Sequence, residues 1–144
     1  MKCDAESQTY INKHPVYSVN YIDDNCPETV DWSGLYQKVD DTISSSEYDI
    51  IIIEGLLVLW DEKLKNSLSL KVFVDCRSDE RIVRRIQRNM KWGQSFEQIT
   101  DVYLDMVRFR HDQFVEPTKW SADIIVNGSC NTDIVCDMIT DYIV

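Results

Sequence analysis

Glycine is scarce: only Gly34, Gly55, Gly93 and Gly128 occur, and no two are spaced to form the Gly-x-x-x-x-Gly-Lys-[Ser/Thr] phosphate cradle. The three prolines do not cluster, and there is no repeat, low-complexity tract or long linker, so residues 1–144 read as one domain with one core. His14 and His111 are too few and too far apart in sequence for a histidine metal site. Five cysteines (Cys3, Cys26, Cys76, Cys130, Cys136) are an odd, scattered set without a Cys-x-x-Cys pair. That indicates neither a disulfide framework nor a zinc site and suits a reducing cytoplasm. The longest apolar run, residues 50–60, is broken by Glu54-Gly55, which predicts neither a signal peptide nor a membrane span. Positive charge is short as well: 15 Lys and Arg against 25 Asp and Glu give a net charge of −10. This argues against a nucleic acid or an anionic membrane as partner.

What is present is an α/β pattern. Ile50-Ile51-Ile52-Ile53, ended by Glu54-Gly55, predicts a central parallel strand buried on both faces. Leu70-Lys71-Val72-Phe73-Val74-Asp75 predicts a second strand, and Asp123-Ile124-Ile125-Val126-Asn127-Gly128 a short third. Helices are predicted over residues 32–43 with Asp31 as cap, over 79–90, over 95–115 with Pro117 ending it, and over 132–142. Residues 61–66 read as a short helix or turn, and residues 16–22 as an extended segment. Strand and helix in alternation predict a parallel sheet.

Two features could carry chemistry. Glu54, at the carboxyl end of a predicted strand, either closes a turn or holds magnesium beside nucleotide phosphates. Arg81, Arg84, Arg85 and Arg88 place four of seven arginines within eight residues of an acidic chain. Arginine's planar fork and permanent charge suit polyphosphate, while the alternative is a solvated face neutralised by nearby acids. Lys119, after Glu116-Pro117-Thr118, is either a phosphate contact or a surface lysine. Cys26 has no histidine in a pattern that would activate it as a nucleophile.

Four co-linear motifs resemble the uridine kinase family, which sits with phosphoribulokinase and nicotinamide riboside kinase relatives among the P-loop kinases. They are Ile52-Ile53-Glu54-Gly55-Leu56-Leu57, Phe73-Val74-Asp75, Asp79-Glu80-Arg81-Ile82-Val83-Arg84-Arg85-Ile86-Gln87-Arg88, and Glu116-Pro117-Thr118-Lys119-Trp120-Ser121-Ala122-Asp123-Ile124-Ile125. The stretch Asn25 to Asp31 resembles the family's Asp-His-Pro-Asp-x-x-Asp substrate loop. The resemblance spans roughly residues 21–128. It implies a P-loop NTPase-like three-layer parallel sheet with helices on both faces, and ATP- and Mg2+-dependent phosphorylation of the 5′-hydroxyl of uridine, cytidine or a related nucleoside. By the same resemblance Arg85 and Arg88 act catalytically on the phosphates, and Glu54 binds metal. Arg84 and Lys119 join Glu54 at the nucleotide, and Asn25 and Asp31 hold the substrate.

The departures fall together on one side. The P-loop and its central strand have no counterpart, and neither has the catalytic aspartate: Asp4 is nearest, and Ser7-Gln8-Thr9-Tyr10 resembles that segment without it. Asn25 and Cys26 stand where the family has aspartate and histidine, and Trp92-Gly93-Gln94 replaces an Arg-Gly-Arg lid pattern. Only seventeen residues separate Asp31 from Asp49, too few for the family's substrate hairpin. The expectation is a nucleoside kinase, truncated or completed by an N-terminal chain, with a homo-oligomer as the other partner arrangement. The alternative is an inactive remnant that binds or regulates.

Overall fold

A computed structural model describes residues 11–13 and 20–143, with side chains from Asp23 onward. Strands β1 (Ile11–Lys13) and β2 (Asn20–Ile22) pair antiparallel. The rest of the predicted extended segment before Asn20 lies outside the described residues. A 3-10 turn at Pro27–Thr29 leads into helix α1 (Trp32–Ser45). Asp31 caps that helix as its residue type predicts, its carboxylate accepting from the Gly34 amide at 2.9 Å. Helix α2 (Glu62–Ser67) starts the same way at Asp61, which accepts from the Leu64 amide at 2.7 Å.

Strand β3 (Val72–Asp75) pairs parallel with β4 (Ile124–Asn127), Val72 opposite Ile124 and Asp75 opposite Asn127. Between them run helix α3 (Ser78–Lys91) and a long helical segment. That segment comprises α4 (Phe96–Val102), a π-helical turn (Tyr103–Val107), α5 (Arg108–Arg110), a second π turn (His111–Val115) and a 3-10 turn (Glu116–Ser121). Its start has a full capping box: Ser95 accepts from the Gln98 amide and Gln98 Oε1 from the Ser95 amide. Pro117 therefore tightens the helix into a 3-10 turn before it ends, a step later than its position predicts. Helix α6 (Asp133–Ile143) follows β4.

The central strand predicted at residues 50–53 does not form. The run belongs to no ladder, and Ile50, Ile51 and Ile52 are exposed, Ile52 by 84%. The physical reason is backbone pairing: a strand persists only where its N–H and C=O groups meet a neighbour, however β-prone its side chains. Among the described residues β3 pairs with β4 alone, and Val74 on β3 remains exposed. The turn after the run is nevertheless anchored. Leu57 joins Phe73 and Val115 in the core, with Val30, Trp32, Leu59, Phe114 and Ala122 packed around them. Trp60 stacks on Trp32 at 6.2 Å and meets Phe114 edge-on at 6.3 Å, tying this turn to α1 and to the long helix.

Candidate functional site

The parallel ladder is stapled at both ends. At its start Asp123 accepts from the Lys71 amide at 2.8 Å and from Lys71 Nζ at 3.0 Å. At its carboxyl end Lys119 Nζ donates to Asp75 at 2.5 Å and stands 3.9 Å from Glu116. The Lys119 hydrogen bond holds the Asp75 carboxyl below the ordinary carboxylate range and raises Lys119 above its own. A cleft of about 770 Å³ opens here, where ligands of parallel α/β sheets bind; Asp75, Arg77, Arg81, Glu116, Lys119 and Ser129 are among its walls. Gly128 crosses the β3 end closely, its amide donating to the Asp75 carbonyl at 2.6 Å.

Beside this end rises α3, with Asp79 and Glu80 in its first turn and its arginines along one flank. The four arginines do different things. Arg81 donates to the Cys76 carbonyl at 2.6 Å and approaches His111 Nδ1 at 3.4 Å, so it ties the helix start to the long helix. Burial and that nearby cation hold the His111 imidazole below its ordinary pKa. Arg84 pairs with Glu80 at 2.5 Å and donates to the Gly128 carbonyl at 2.9 Å. It thus fastens α3 to the turn after β4. Arg85 is the exception: its Nε is fully buried and has no acceptor. Desolvation and the neighbouring Arg88 lower its pKa, with Tyr103 acting the other way. Arg88 donates through Nε to Asn89 Oδ1 at 3.1 Å and lies over the Trp92 ring at 5.1 Å.

The segment Asn25 to Asp31 is anchored by a residue that sequence reasoning missed. Asp23 is 1% exposed and accepts from Arg110 Nε at 2.7 Å, from the Cys26 thiol at 3.0 Å and from the Asn25 amide at 3.1 Å. Burial alone would raise its carboxyl. The bonds from Cys26, Arg110 and Asn25 outweigh burial, and the pKa lies below the ordinary value. Burial and the adjacent carboxylate push the Cys26 thiol up to about 12, which makes it a structural donor and an unreactive one. Arg110 lies 87 residues from Asp23, so no local pattern could have linked them. Asn25 and Asp31 are therefore positioned, one by its amide on Asp23 and the other as the α1 cap.

Glu54 stands exposed after the unpaired isoleucine run, in none of the ion pairs among the described residues. No group of three or more His, Cys, Asp or Glu converges on a metal position among those residues. Asp4 and Ser7-Gln8-Thr9-Tyr10 lie outside them. Of the predicted site residues, Lys119 alone is among the cleft walls; Arg84 and Lys119 are committed to partners of their own, and Arg85 and Arg88 stand three residues apart on α3.

The described residues form an α/β unit in which the carboxyl end of a parallel strand pair faces a cleft, flanked by a helix with a buried guanidinium donor that has no acceptor. The Phosphoribulokinase / Uridine kinase family model matches residues 6–135, and the chain belongs to that family, whose fold is that of the P-loop NTPases. It is 42% identical over 106 residues to a uridine kinase of Lactobacillus helveticus, covering 73% of this chain and 50% of that one. To a uridine kinase of Geobacillus kaustophilus it is 42% identical over 105 residues, 72% of this chain and 50% of the other. To that of Anoxybacillus flavithermus it is 39% identical over 110 residues, 76% and 52%. The chain thus spans about half the length of the curated relatives it matches.

Proposed function

We propose that this chain carries the phosphate-side helix and substrate loop of a nucleoside kinase that transfers the γ-phosphoryl group of ATP to the 5′-hydroxyl of uridine or cytidine. One observation carries the reading: Arg85 buries an N–H donor with no acceptor, beside the second guanidinium of Arg88. A buried donor left unpaired costs about 1–3 kcal/mol, and two adjacent guanidiniums repel. A polyphosphate beside the pair would offset the repulsion, and an outward turn of Arg85 would bring its Nε to the phosphate oxygens. Phosphoryl transfer is largely positioning and charge neutralisation, which is what such a pair supplies.

Magnesium suits a site with a single carboxylate, because it keeps several waters and takes phosphate oxygens as its other ligands. Glu54 is the residue assigned to it, and bound magnesium would neutralise charge on the phosphates. Asn25 and Asp31 would hold the nucleoside on the loop that Asp23 and Arg110 pin. Lys119, held on Asp75, would border the nucleotide from the strand ends, with Arg84 fixing the turn after β4.

The sheet in this reading is three-layered and lacks its central strand. A segment bearing the glycine-rich cradle, supplied by an N-terminal chain, would lie between residues 50–53 and β3. Supporting this are the exposed isoleucines and the edge of β3 that has no partner among the described residues. A cytoplasmic setting is supported by free Cys26, Cys76, Cys130 and Cys136, and no helix among the described residues is long and apolar enough to cross a membrane.

The test is calorimetric titration of the chain with magnesium ATP. Saturable binding weakened about tenfold or more by Arg88→Ala, and reduced by Glu54→Ala only when magnesium is present, is the expected result. Absence of binding both by the chain and by the chain joined to a glycine-rich segment overturns the kinase reading.

A further inference from the structure

The last turn of α3 is built around Arg88 in a way that fold stability alone does not require. Asn89 is 6% exposed and uses both ends of its amide: Oδ1 accepts from Arg88 Nε at 3.1 Å, and Nδ2 donates to Gln94 Oε1 at 2.7 Å. Gln94 closes the loop, its backbone amide donating to the Asn89 carbonyl at 3.2 Å. Between them the chain reverses through Gly93 at φ +87°, and the Trp92 amide also reaches the Asn89 carbonyl at 3.0 Å. Trp92 is 71% exposed, so burial does not explain its position; what its ring contacts is the Arg88 guanidinium, 5.1 Å from the ring centre.

These contacts act on one side chain. Asn89 occupies the Nε–H of Arg88, and the guanidinium lies over the Trp92 ring, leaving the Nη groups as the remaining donors. Arg85 lies near enough for the two charges to repel, and an unrestrained Arg88 would swing out into water. Acceptor and ring together oppose that movement. The turn Trp92-Gly93-Gln94 carries no charge of its own.

We infer that Trp92, Asn89 and Gln94 form a lock that fixes Arg88 beside Arg85 so that the pair meets adjacent phosphoryl groups of a nucleoside triphosphate with its geometry already set. The inference rests on the nucleotide reading above for the ligand, but the lock is a property of the free chain. Trp92 is thus a positioning residue. Immobilising a long side chain before binding changes affinity by about threefold to tenfold.

The experiment has two arms, both on the whole chain. In the first, the arginine Nε–H region of a ¹H–¹⁵N spectrum is recorded, with the Arg88 signal identified by its loss in Arg88→Lys. That signal is expected to be sharp in the wild type and in Trp92→Phe, where an aromatic face remains. It is expected to broaden or vanish in Trp92→Leu. In the second, inorganic tripolyphosphate is titrated: Trp92→Leu should bind it about threefold to tenfold more weakly, and Trp92→Phe within twofold of wild type. An Arg88 signal unchanged in Trp92→Leu, or equal affinities for the Leu and Phe variants, overturns the lock. Loss of the signal in Trp92→Leu alone, in a wild type that binds no tripolyphosphate, upholds the lock and removes the nucleotide reading.

Discussion

At the scale of single residues, the Asp23 to Arg110 pair holds the most buried carboxylate among the ion pairs described: its side chain is 0% exposed and the guanidinium 22%. Removing one partner of a buried pair leaves an uncompensated charge, at about 3 kcal/mol. Arg110→Ala should lower stability by about that amount in urea denaturation, while Arg77→Ala, on an exposed pair with Asp79, should change it by less than about 0.5 kcal/mol. The pH dependence has a definite sign. The Asp23 carboxyl titrates lower in the folded chain than in the unfolded one, where about 3.9 is ordinary. Its contribution is therefore full above that unfolded value and is lost as pH falls through the folded pKa. The wild-type urea midpoint should drop more steeply below about pH 4 than that of Asp23→Asn. Parallel curves would show that another carboxylate sets the acid limit.

At the scale of elements, β3 and the turn after β4 approach closely. A Cβ on Gly128 would stand 2.7 Å from Val74 Cγ1 and 3.1 Å from the Asp75 carbonyl oxygen. The backbone oxygen cannot move without breaking the Gly128 amide bond to it, so Gly128→Ala should cost about 1–3 kcal/mol. At Gly93 the space is open and only its φ of +87° matters; Gly93→Ala should cost about 1 kcal/mol. Thermal denaturation of the two variants checks the order, and a Gly128→Ala variant as stable as Gly93→Ala would mean that the strand end yields more readily than its contacts indicate.

At the scale of the whole molecule, the −10 charge and the exposed isoleucines pull in opposite directions. Charge of one sign keeps chains apart, whereas a run of exposed β-branched residues that pairs with no strand among the described residues invites strand addition. Raising salt screens the first effect and leaves the second. The chain should therefore self-associate more at 1 M than at 0.1 M salt in sedimentation, and Ile52→Lys should reduce that association without lowering the melting temperature. A melting temperature that falls with Ile52→Lys would place this side chain inside a core.

The sequence by itself determined the local elements and the family. Helix caps at Asp31 and Ser95, the strand at Val72–Asp75 and the arginine-rich helix Ser78–Lys91 all follow from side-chain chemistry acting within a few residues. The four motifs named the family because their order is far rarer than any one of them. What only the tertiary structure decided depends on partners distant in the chain. Residues 50–53 have the composition of a buried strand, yet a strand needs neighbours, and none pairs with them among the described residues. The four arginines are alike in sequence; packing against His111, Gly128 and Asn89 left Arg85 alone with a buried donor unpaired. Asp23 looked like one acid among many until a guanidinium 87 residues away closed over it. Propensity acts along the chain, while burial and pairing act across it, and the site is made by the second.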